Sequence, residues 1–318
     1  MATTVLQVGG VPPSIADALT AKYQAMMLPI DAEREDFLAV HANSIRAIVD
    51  AGQIPIDADL MGALPNLGAI IHFGAGYETI DVDAARRLGI GVSNTPDVLT
   101  DTVADTAIGL MLMTMRRLGA AERYVRAGRW PVDGPYPFGH DVTGSRFGIL
   151  GLGRIGSAIA HRLTGFNCPI AYHNRHELPG SGYRYASSAV DLAKSVDVLV
   201  VATSGTMDGP PLVNRDVLEA LGPDGYLINI ARGSLVDEEA LVQLLAQGRL
   251  AGAGLDVFAH EPVVPQQLYE MDNVVVLPHV GSATARTRAA MAELVLHNLD
   301  EYLTNNTLST PVVALSRR

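Results

Sequence analysis

Mostly apolar runs alternate with helix-period segments through the first part of the chain. Residues 5–8, 25–28, 45–49 and 69–73 read as strands, while 13–23, 31–43, 57–64 and 79–88 carry apolar residues three and four apart, the spacing of a helix with one covered face. Strands that lack apolar–polar alternation are covered on both sides, so this pattern predicts a parallel sheet with helices on each face. A second series begins at Phe147. It predicts strands at 147–150, 169–172, 197–202, 226–230, 253–257 and 274–277, with helices between most of them.

Between the two series, 99–130 reads as one long helix in which Ala104, Ala107, Ile108, Leu110, Met111, Leu112 and Met115 make a segment too apolar for a solvated linker. The Met residues read as core filler. A Pro- and Gly-rich loop over 131–145 leads to the second sheet, and 283–303 is helical and long enough to return to the first. The expected fold is therefore α/β, with two doubly wound, Rossmann-like domains built on parallel sheets. Residues 1–98 plus 286–318 form one expected domain and 99–285 the other.

Composition narrows the partners. With 318 residues and 48% hydrophobic residues the chain can bury two cores, and 23 Lys plus Arg against 34 Asp plus Glu gives a net charge of −11. That balance disfavours nucleic acid and anionic membrane as partners, so an anionic ligand needs local donors. Cys168 is the only cysteine, which rules out an intrachain disulfide and a cysteine-based metal site, and no metal is expected. Nothing nearby marks it as a nucleophile. The first ten residues read as a strand rather than a signal peptide, and no apolar stretch reaches membrane-spanning length, so the expected location is cytoplasmic.

Gly151-Leu152-Gly153-Arg154-Ile155-Gly156 follows a predicted strand and opens a predicted helix. In that context the first glycine serves a tight turn, the second lets backbone N–H groups approach a pyrophosphate, and the third lets the helix pack on the strand. An acidic residue that would hold the ribose 2′-hydroxyl of NAD is expected after the next strand. His173-Asn174-Arg175 stands there instead, and a guanidinium suits a 2′-phosphate, so NADP(H) is the preferred cofactor and NAD(H) remains open. Asn174 and Arg175 read alternatively as ordinary turn residues.

Three strand ends of the second series carry chemistry. Asn229-Ile230-Ala231-Arg232-Gly places Arg232 after one strand, with Asp237 as a helix N-cap beyond; Gly254-Leu-Asp256-Val-Phe leads to Glu261-Pro262; and Pro278-His279-Val-Gly281-Ser282 follows the last strand. Ligands of open parallel sheets bind beyond the carboxyl ends of strands. A histidine with a carboxylate partner can protonate the oxygen of a ketone as hydride arrives, and an arginine can grip the adjacent carboxylate, so Arg232, Glu261 and His279 are the candidate catalytic set for reduction of a 2-oxo acid. Singly, each also reads as an ion pair, a loop charge or a cap.

Taken together, in this order and across nearly the whole chain, these motifs resemble the D-isomer-specific 2-hydroxyacid dehydrogenase family. His72-Phe73-Gly74-Ala75-Gly76-Tyr77 is similar to that family's substrate-carboxylate loop. The resemblance implies that His279 is the acid/base, Glu261 its partner and Arg232 a substrate binder. It also implies that Phe73, Gly74, Ala75 and Gly76 surround the substrate carboxylate, and that Asp256 lies near the nicotinamide carboxamide. By the same resemblance 1–98 plus 286–318 is a flavodoxin-like substrate-binding domain, 99–285 is a dinucleotide-binding Rossmann domain, and the active site is the interdomain cleft. Thr203, with Ser204 and Gly205, falls on the adenosine side, and Ile230, Ala231 and Gly281 join the expected cofactor contacts. Ser204 departs from the proline of many relatives. His173-Asn174-Arg175 looks like the NADPH-dependent glyoxylate/hydroxypyruvate and hydroxyphenylpyruvate reductases. The expected activity is NADPH-preferring reduction of glyoxylate or hydroxypyruvate to the D-hydroxy acid; an arylpyruvate reductase and a dinucleotide-sensing binding protein are the alternatives. A homodimer is expected, with Trp130 near the partner's site or packed under the Pro-rich loop.

Overall fold

The first series of apolar runs folds, in a computed structural model describing residues 4–30, 32–205 and 209–315, as β1 (Thr4–Val8), β2 (Met26–Met27), β3 (Ile45–Asp50) and β4 (Ala69–His72). Helices α1 (Pro13–Tyr23), α2 (Glu33–His41), α3 (Ala58–Gly62) and α4 (Val82–Leu88) alternate with them, followed by β5 (Gly91–Ser93). Residue 31, where the second helix was expected to start, and the outermost residues of the expected first domain, 1–3 and 316–318, lie outside the described residues.

The expected single helix over 99–130 is two. Helix α5 (Thr100–Met115) stops where Arg117 takes a left-handed conformation at φ 53°, and α6 (Leu118–Arg126) starts in a new direction. A left-handed residue cannot continue the helical ladder; the Arg117 guanidinium instead lies 5.5 Å from the centre of the Tyr136 ring. The 131–145 segment, expected as loop, begins with a single turn, α7 (Trp130–Asp133), before the chain enters the second sheet. There follow β6 (Phe147–Leu150), α8 (Arg154–Thr164), β7 (Ile170–His173), β8 (Arg184–Tyr185), α9 (Ala189–Lys194), β9 (Val198–Val201), α10 (Arg215–Leu221), β10 (Tyr226–Asn229), α11 (Glu238–Ala246), β11 (Gly252–Leu255), α12 (Gln266–Tyr269) and β12 (Val274–Val276). The chain ends with α13 (Ala285–Asn305) and β13 (Pro311–Val313).

Two units result, Met1–Leu99 with Thr284–Arg318 and Thr100–Ala283. In the first, the strand order is β13-β5-β4-β3-β1-β2, in which β1 to β5 pair parallel in the flavodoxin-like order 2-1-3-4-5. β13 adds antiparallel to β5, so this sheet is mixed at its edge rather than wholly parallel. Three short strands, β5, β8 and β13, escape the hydrophobic pattern, because two or three residues hold no periodicity to read. The second unit is parallel throughout, in the order β12-β11-β10-β9-β6-β7-β8. Its order reverses between β6 and β9, which puts the loops after those two strands at the switch point where ligands bind.

Local chemistry fixes the helix starts that aim these loops. Asp57, Asp81, Ser188, Asn214, Asp237 and Thr284 each accept a backbone N–H as N-caps, a bond worth about 1 kcal/mol apiece. Apolar burial supplies far more. Leu199, Leu227, Leu241 and Leu255 lie in one buried cluster of the second unit. We expect Leu227→Ala, which empties a fully buried site on β10, to lower unfolding free energy by about 2–5 kcal/mol in urea titrations. Val40→Ala, on the exposed face of α2, should change it by no more than about 0.5 kcal/mol.

Candidate active site

The glycine turn after β6 is held by contacts that exclude side chains. Gly151 sits at φ 101°, and a Cβ there would stand 2.6 Å from Cβ of Thr203, the residue just beyond β9; a Cβ on Gly156 would lie 2.0 Å from the Gly151 carbonyl oxygen. Only glycine permits both approaches. Around Gly153 the space is open, and no side chain caps the eleven-residue helix α8 at that position, the kind of helix start that suits an anion. These features fit the pyrophosphate of a dinucleotide.

The residues after β7 do more than line a surface. Asn174 Oδ1 accepts the Leu152 N–H at 2.7 Å, tying the segment that would read the ribose to the glycine turn itself. Leu152 is thus committed to the protein frame. His173 contacts the Ala186 carbonyl through Nδ1 at 2.8 Å and stacks on Tyr185, whose hydroxyl donates to the Asn174 carbonyl at 3.2 Å. Arg175 is exposed.

Beyond β10, β11 and β12 the structure brings Arg232, Glu261 and His279 into one cluster of the second unit. Asn229 braces the turn after β10: its Oδ1 accepts the Ala231 N–H and its Nδ2 donates to the Arg232 carbonyl. Ile230 and Ala231 are buried, and Arg232 donates from Nη1 to the Ala231 carbonyl at 2.7 Å. A Cβ on Gly233 would fall 1.9 Å from the Phe258 carbonyl carbon, so the Arg232 turn lies directly against the loop that carries Glu261. That loop is fastened from both sides. Glu261 Oε1 accepts the Phe258 N–H at 3.0 Å, and Glu238, from the first turn of α11, accepts the Ala259 N–H at 3.0 Å.

Glu261 Oε2 lies 2.7 Å from Nδ1 of His279. A carboxylate acceptor makes Nδ1 the donor, which leaves Nε2, without a protein hydrogen bond among the described residues, as the nitrogen that exchanges a proton. Partial burial pushes the Glu261 carboxyl up, but the His279 bond and charge, the Phe258 N–H and the Arg232 charge outweigh it and hold the group below the usual carboxylate range. His279 itself sits at φ 52°. Its N–H donates to the Asp256 carbonyl, while the Asp256 carboxylate, 1% exposed, accepts the N–H of Val280 on one oxygen and of Gly281 on the other, both at 2.7 Å. Burial raises the Asp256 carboxyl against the pull of those two donors. Asp256 therefore shapes the turn that presents His279, and Gly281, whose carbonyl also accepts the Thr106 hydroxyl, is held with it.

In the first unit the loop after β4 exposes donors and hides acceptors. The Gly74 carbonyl accepts the Thr95 N–H at 2.9 Å and the Ala75 carbonyl accepts Nδ2 of Asn94 at 2.7 Å, whereas the N–H groups of Gly74, Ala75 and Gly76 bond no protein acceptor among the described residues. Three such amides suit a carboxylate. Phe73 differs from them: its N–H donates to the Asp50 carbonyl, and its buried ring lies 5.6 Å from the Arg288 guanidinium, so it supports the loop rather than offering a donor. Glu238, Asn94 and Thr106 are not singled out in the sequence, and Asn229 enters it only as part of the motif that leads to Arg232; no local signal marks Thr106, which lies within α5. Among the described residues there is no cluster of three or more His, Cys, Asp or Glu that could hold a metal ion, and no helix is long and apolar enough to cross a membrane.

Comparison with known proteins places the chain in a family. A family model for the "D-isomer specific 2-hydroxyacid dehydrogenase, NAD binding domain" matches residues 108–281. The chain is 49% identical over 280 residues to hydroxyphenylpyruvate reductase of Plectranthus scutellarioides, covering 88% of this chain and 89% of that one. It is 46% identical over 299 residues to glyoxylate/hydroxypyruvate reductase A of Arabidopsis thaliana, covering 94% and 95%. An NADPH-dependent glyoxylate/hydroxypyruvate reductase from Sinorhizobium meliloti, solved in complex with NADP and malonate, superposes with a TM-score of 0.92 at 42% identity over 100% of this chain and 99% of that one. The chain belongs to the D-isomer-specific 2-hydroxyacid dehydrogenase family.

Proposed function

We propose that this protein reduces small 2-oxo acids of the glyoxylate and hydroxypyruvate type to the D-2-hydroxy acid, using NADPH in preference to NADH. The observation that carries the reading is the 2.7 Å bond between Glu261 and Nδ1 of His279, on a turn that Asp256 holds. When bound, the reduced nicotinamide supplies the hydride that reaches the carbonyl carbon. His279 gives its Nε2 proton to the carbonyl oxygen as negative charge develops there, and Glu261 stabilises the imidazolium that must be present beforehand. Arg232 binds the substrate through its guanidinium and polarises the carbonyl. The N–H groups of Gly74, Ala75 and Gly76 receive the substrate carboxylate.

Gly151, Gly153 and Gly156, with the N–H groups of Arg154 and Ile155, are assigned to the pyrophosphate; Thr203 lies on the adenosine side, and Arg175 meets the 2′-phosphate. The Sinorhizobium relative, described as NADPH-dependent, supports the cofactor preference. The Plectranthus relative's name supports a second reading, arylpyruvate reduction, at the same catalytic set. A homodimer forms part of the proposal, supported by the exposed Trp130, Val132 and Phe138 at 61%, 81% and 99% exposure on the segment before β6. So does a cytoplasmic location, for which the buried lone thiol of Cys168 is suited.

Loss of absorbance at the reduced-nicotinamide band, with NADPH or NADH against glyoxylate, hydroxypyruvate, phenylpyruvate and hydroxyphenylpyruvate, tests the function directly. Turnover of a short oxo acid with NADPH is expected; turnover of the aryl acids alone would favour the second reading, and NADPH binding without any turnover would favour a sensor. His279→Ala should lower kcat by at least about a hundredfold while NADPH still binds in fluorescence titrations. We expect Arg175→Asp to raise the KM for NADPH by about tenfold or more and to spare NADH; equal losses for the two cofactors would remove Arg175 from 2′-phosphate recognition.

Acid sensitivity offers a separate check. Because the folded Glu261 pKa lies below its unfolded value of about 4.3, the ionised group stabilises the fold above that pH, and the contribution disappears as pH falls through the depressed value. In urea titrations at stepped pH, the stability gap between the native chain and Glu261→Gln should shrink on acidification below about pH 5.

A further inference from the structure

Asp50 and His72 stand at the carboxyl ends of neighbouring strands, β3 and β4, one residue beyond fully apolar positions. Both are buried, at 0% and 2% exposure. Nδ1 of His72 lies 3.1 and 3.0 Å from the two carboxylate oxygens of Asp50, and the second of those oxygens also accepts the Gly52 N–H at 2.8 Å. A polar pair this deep in a sheet end opposes burial unless its hydrogen bonds are met, and these are met by one ring and one backbone amide.

The ring lies against the following loop. A Cβ on Gly74 would stand 2.6 Å from Nε2 and 3.2 Å from Cδ2 of His72, and a Cβ on Gly52 would stand 3.3 Å from Cε1. The loops after β3 and β4 therefore both approach the Nε2 end of one imidazole, Gly52 on the Cε1 side and Gly74 on the Cδ2 side. Asp50 also holds the second loop's entry, since its carbonyl accepts the Phe73 N–H at 2.8 Å. Asn94 and Thr95 draw the Gly74 and Ala75 carbonyls one way. The imidazole edge limits how far Gly74 can settle the other way.

We propose that the Asp50–His72 pair is a positioning element for substrate: Asp50 orients the imidazole, and its Nε2 edge sets the height of Gly74, so that the Gly74, Ala75 and Gly76 N–H groups converge on a carboxylate. His72 acts through Gly74 and touches neither the reacting atoms nor the cofactor. The assignment rests on the proposed 2-oxo acid reductase activity and adds to it the device that determines oxo-acid affinity separately from catalytic rate.

His72→Asn separates the two parts of this device, because an asparagine amide can replace Nδ1 toward Asp50 but supplies no ring edge beneath Gly74. With NADPH and glyoxylate, the KM for glyoxylate should rise about tenfold while kcat stays within about twofold and the KM for NADPH is unchanged. Asp50→Asn should move the same constant in the same direction. Gly74→Ala should raise it further, and Gly74→Ala combined with His72→Asn should raise it by less than the product of the single effects, since the new methyl then occupies space the ring has left. Amide NMR of the native chain and His72→Asn, each with malonate added, reads the loop without turnover: the Gly74, Ala75 and Gly76 resonances should shift between the two proteins and respond less to malonate in the variant. An unchanged KM for glyoxylate, a parallel loss in kcat and NADPH affinity, multiplicative effects in the double variant, or unmoved loop resonances would each overturn the assignment. Absence of turnover in the native chain would instead remove the reductase reading, with the NMR comparison still deciding whether His72 positions the loop. Should His72→Asn fail to fold, Asp50→Asn takes its place in both measurements.

Discussion

The Asp256 carboxylate is the anchor on which the catalytic cluster depends. It is buried, and it accepts the N–H groups of Val280 and Gly281 while its own backbone carbonyl takes the N–H of His279. Hydrogen bonds to a charged acceptor contribute about 1.5–3 kcal/mol each. The left-handed backbone that His279 adopts costs roughly 1–2 kcal/mol for a residue with a Cβ. Two such bonds therefore exceed the strain of one residue. Strain is tolerated here because it turns the imidazole out of the strand direction and toward Glu261, a pairing that extended backbone would not produce at this point of the chain.

Around that anchor, backbone approaches backbone too closely for side chains. Gly233 against Phe258, Gly151 against Thr203 and Gly156 against Gly151 are contacts of this kind. The first holds the Arg232 turn against the loop that carries Glu261, and the other two hold the glycine turn after β6 against Thr203 and the start of α8. Glu238 and Asn229 then complete the frame from the flanking elements, each accepting N–H groups that would otherwise lack partners in the turns. This framing engages Nδ1 of His279 with Glu261, and the proposed proton transfer falls to the ring's other nitrogen, Nε2.

An acidic chain that binds anions must do so locally. With a net charge of −11, long-range attraction works against an oxo acid or a dinucleotide phosphate. In the function proposed here that task falls to oriented N–H groups rather than to a basic surface: the start of α8 and the loop at Gly74 to Gly76. Backbone dipoles of this sort act over a few ångströms, where the overall charge matters little beside geometry. It follows that whatever fixes loop geometry, as the Asp50–His72 pair does for Gly74, bears on affinity as directly as a contacting side chain.

The sequence alone determined most of the long elements, the two series of strands, the glycine turn and the placement of Arg232, Glu261 and His279 after strand ends, because apolar periodicity and short motifs are local properties. Asp237 as a helix cap was legible for the same reason. Tertiary structure decided what depends on partners distant in sequence. Arg117 breaks the expected long helix where its side chain finds Tyr136, and β13 completes the first sheet antiparallel, although nothing in three residues announces a strand. Asn174 spans 22 residues to hold the Leu152 amide, and Asp256 reaches 24 and 25 residues to Val280 and Gly281. A side chain's hydrogen-bonding capacity is written in its residue type, but which donor meets it is settled only when the sheet places strand ends side by side.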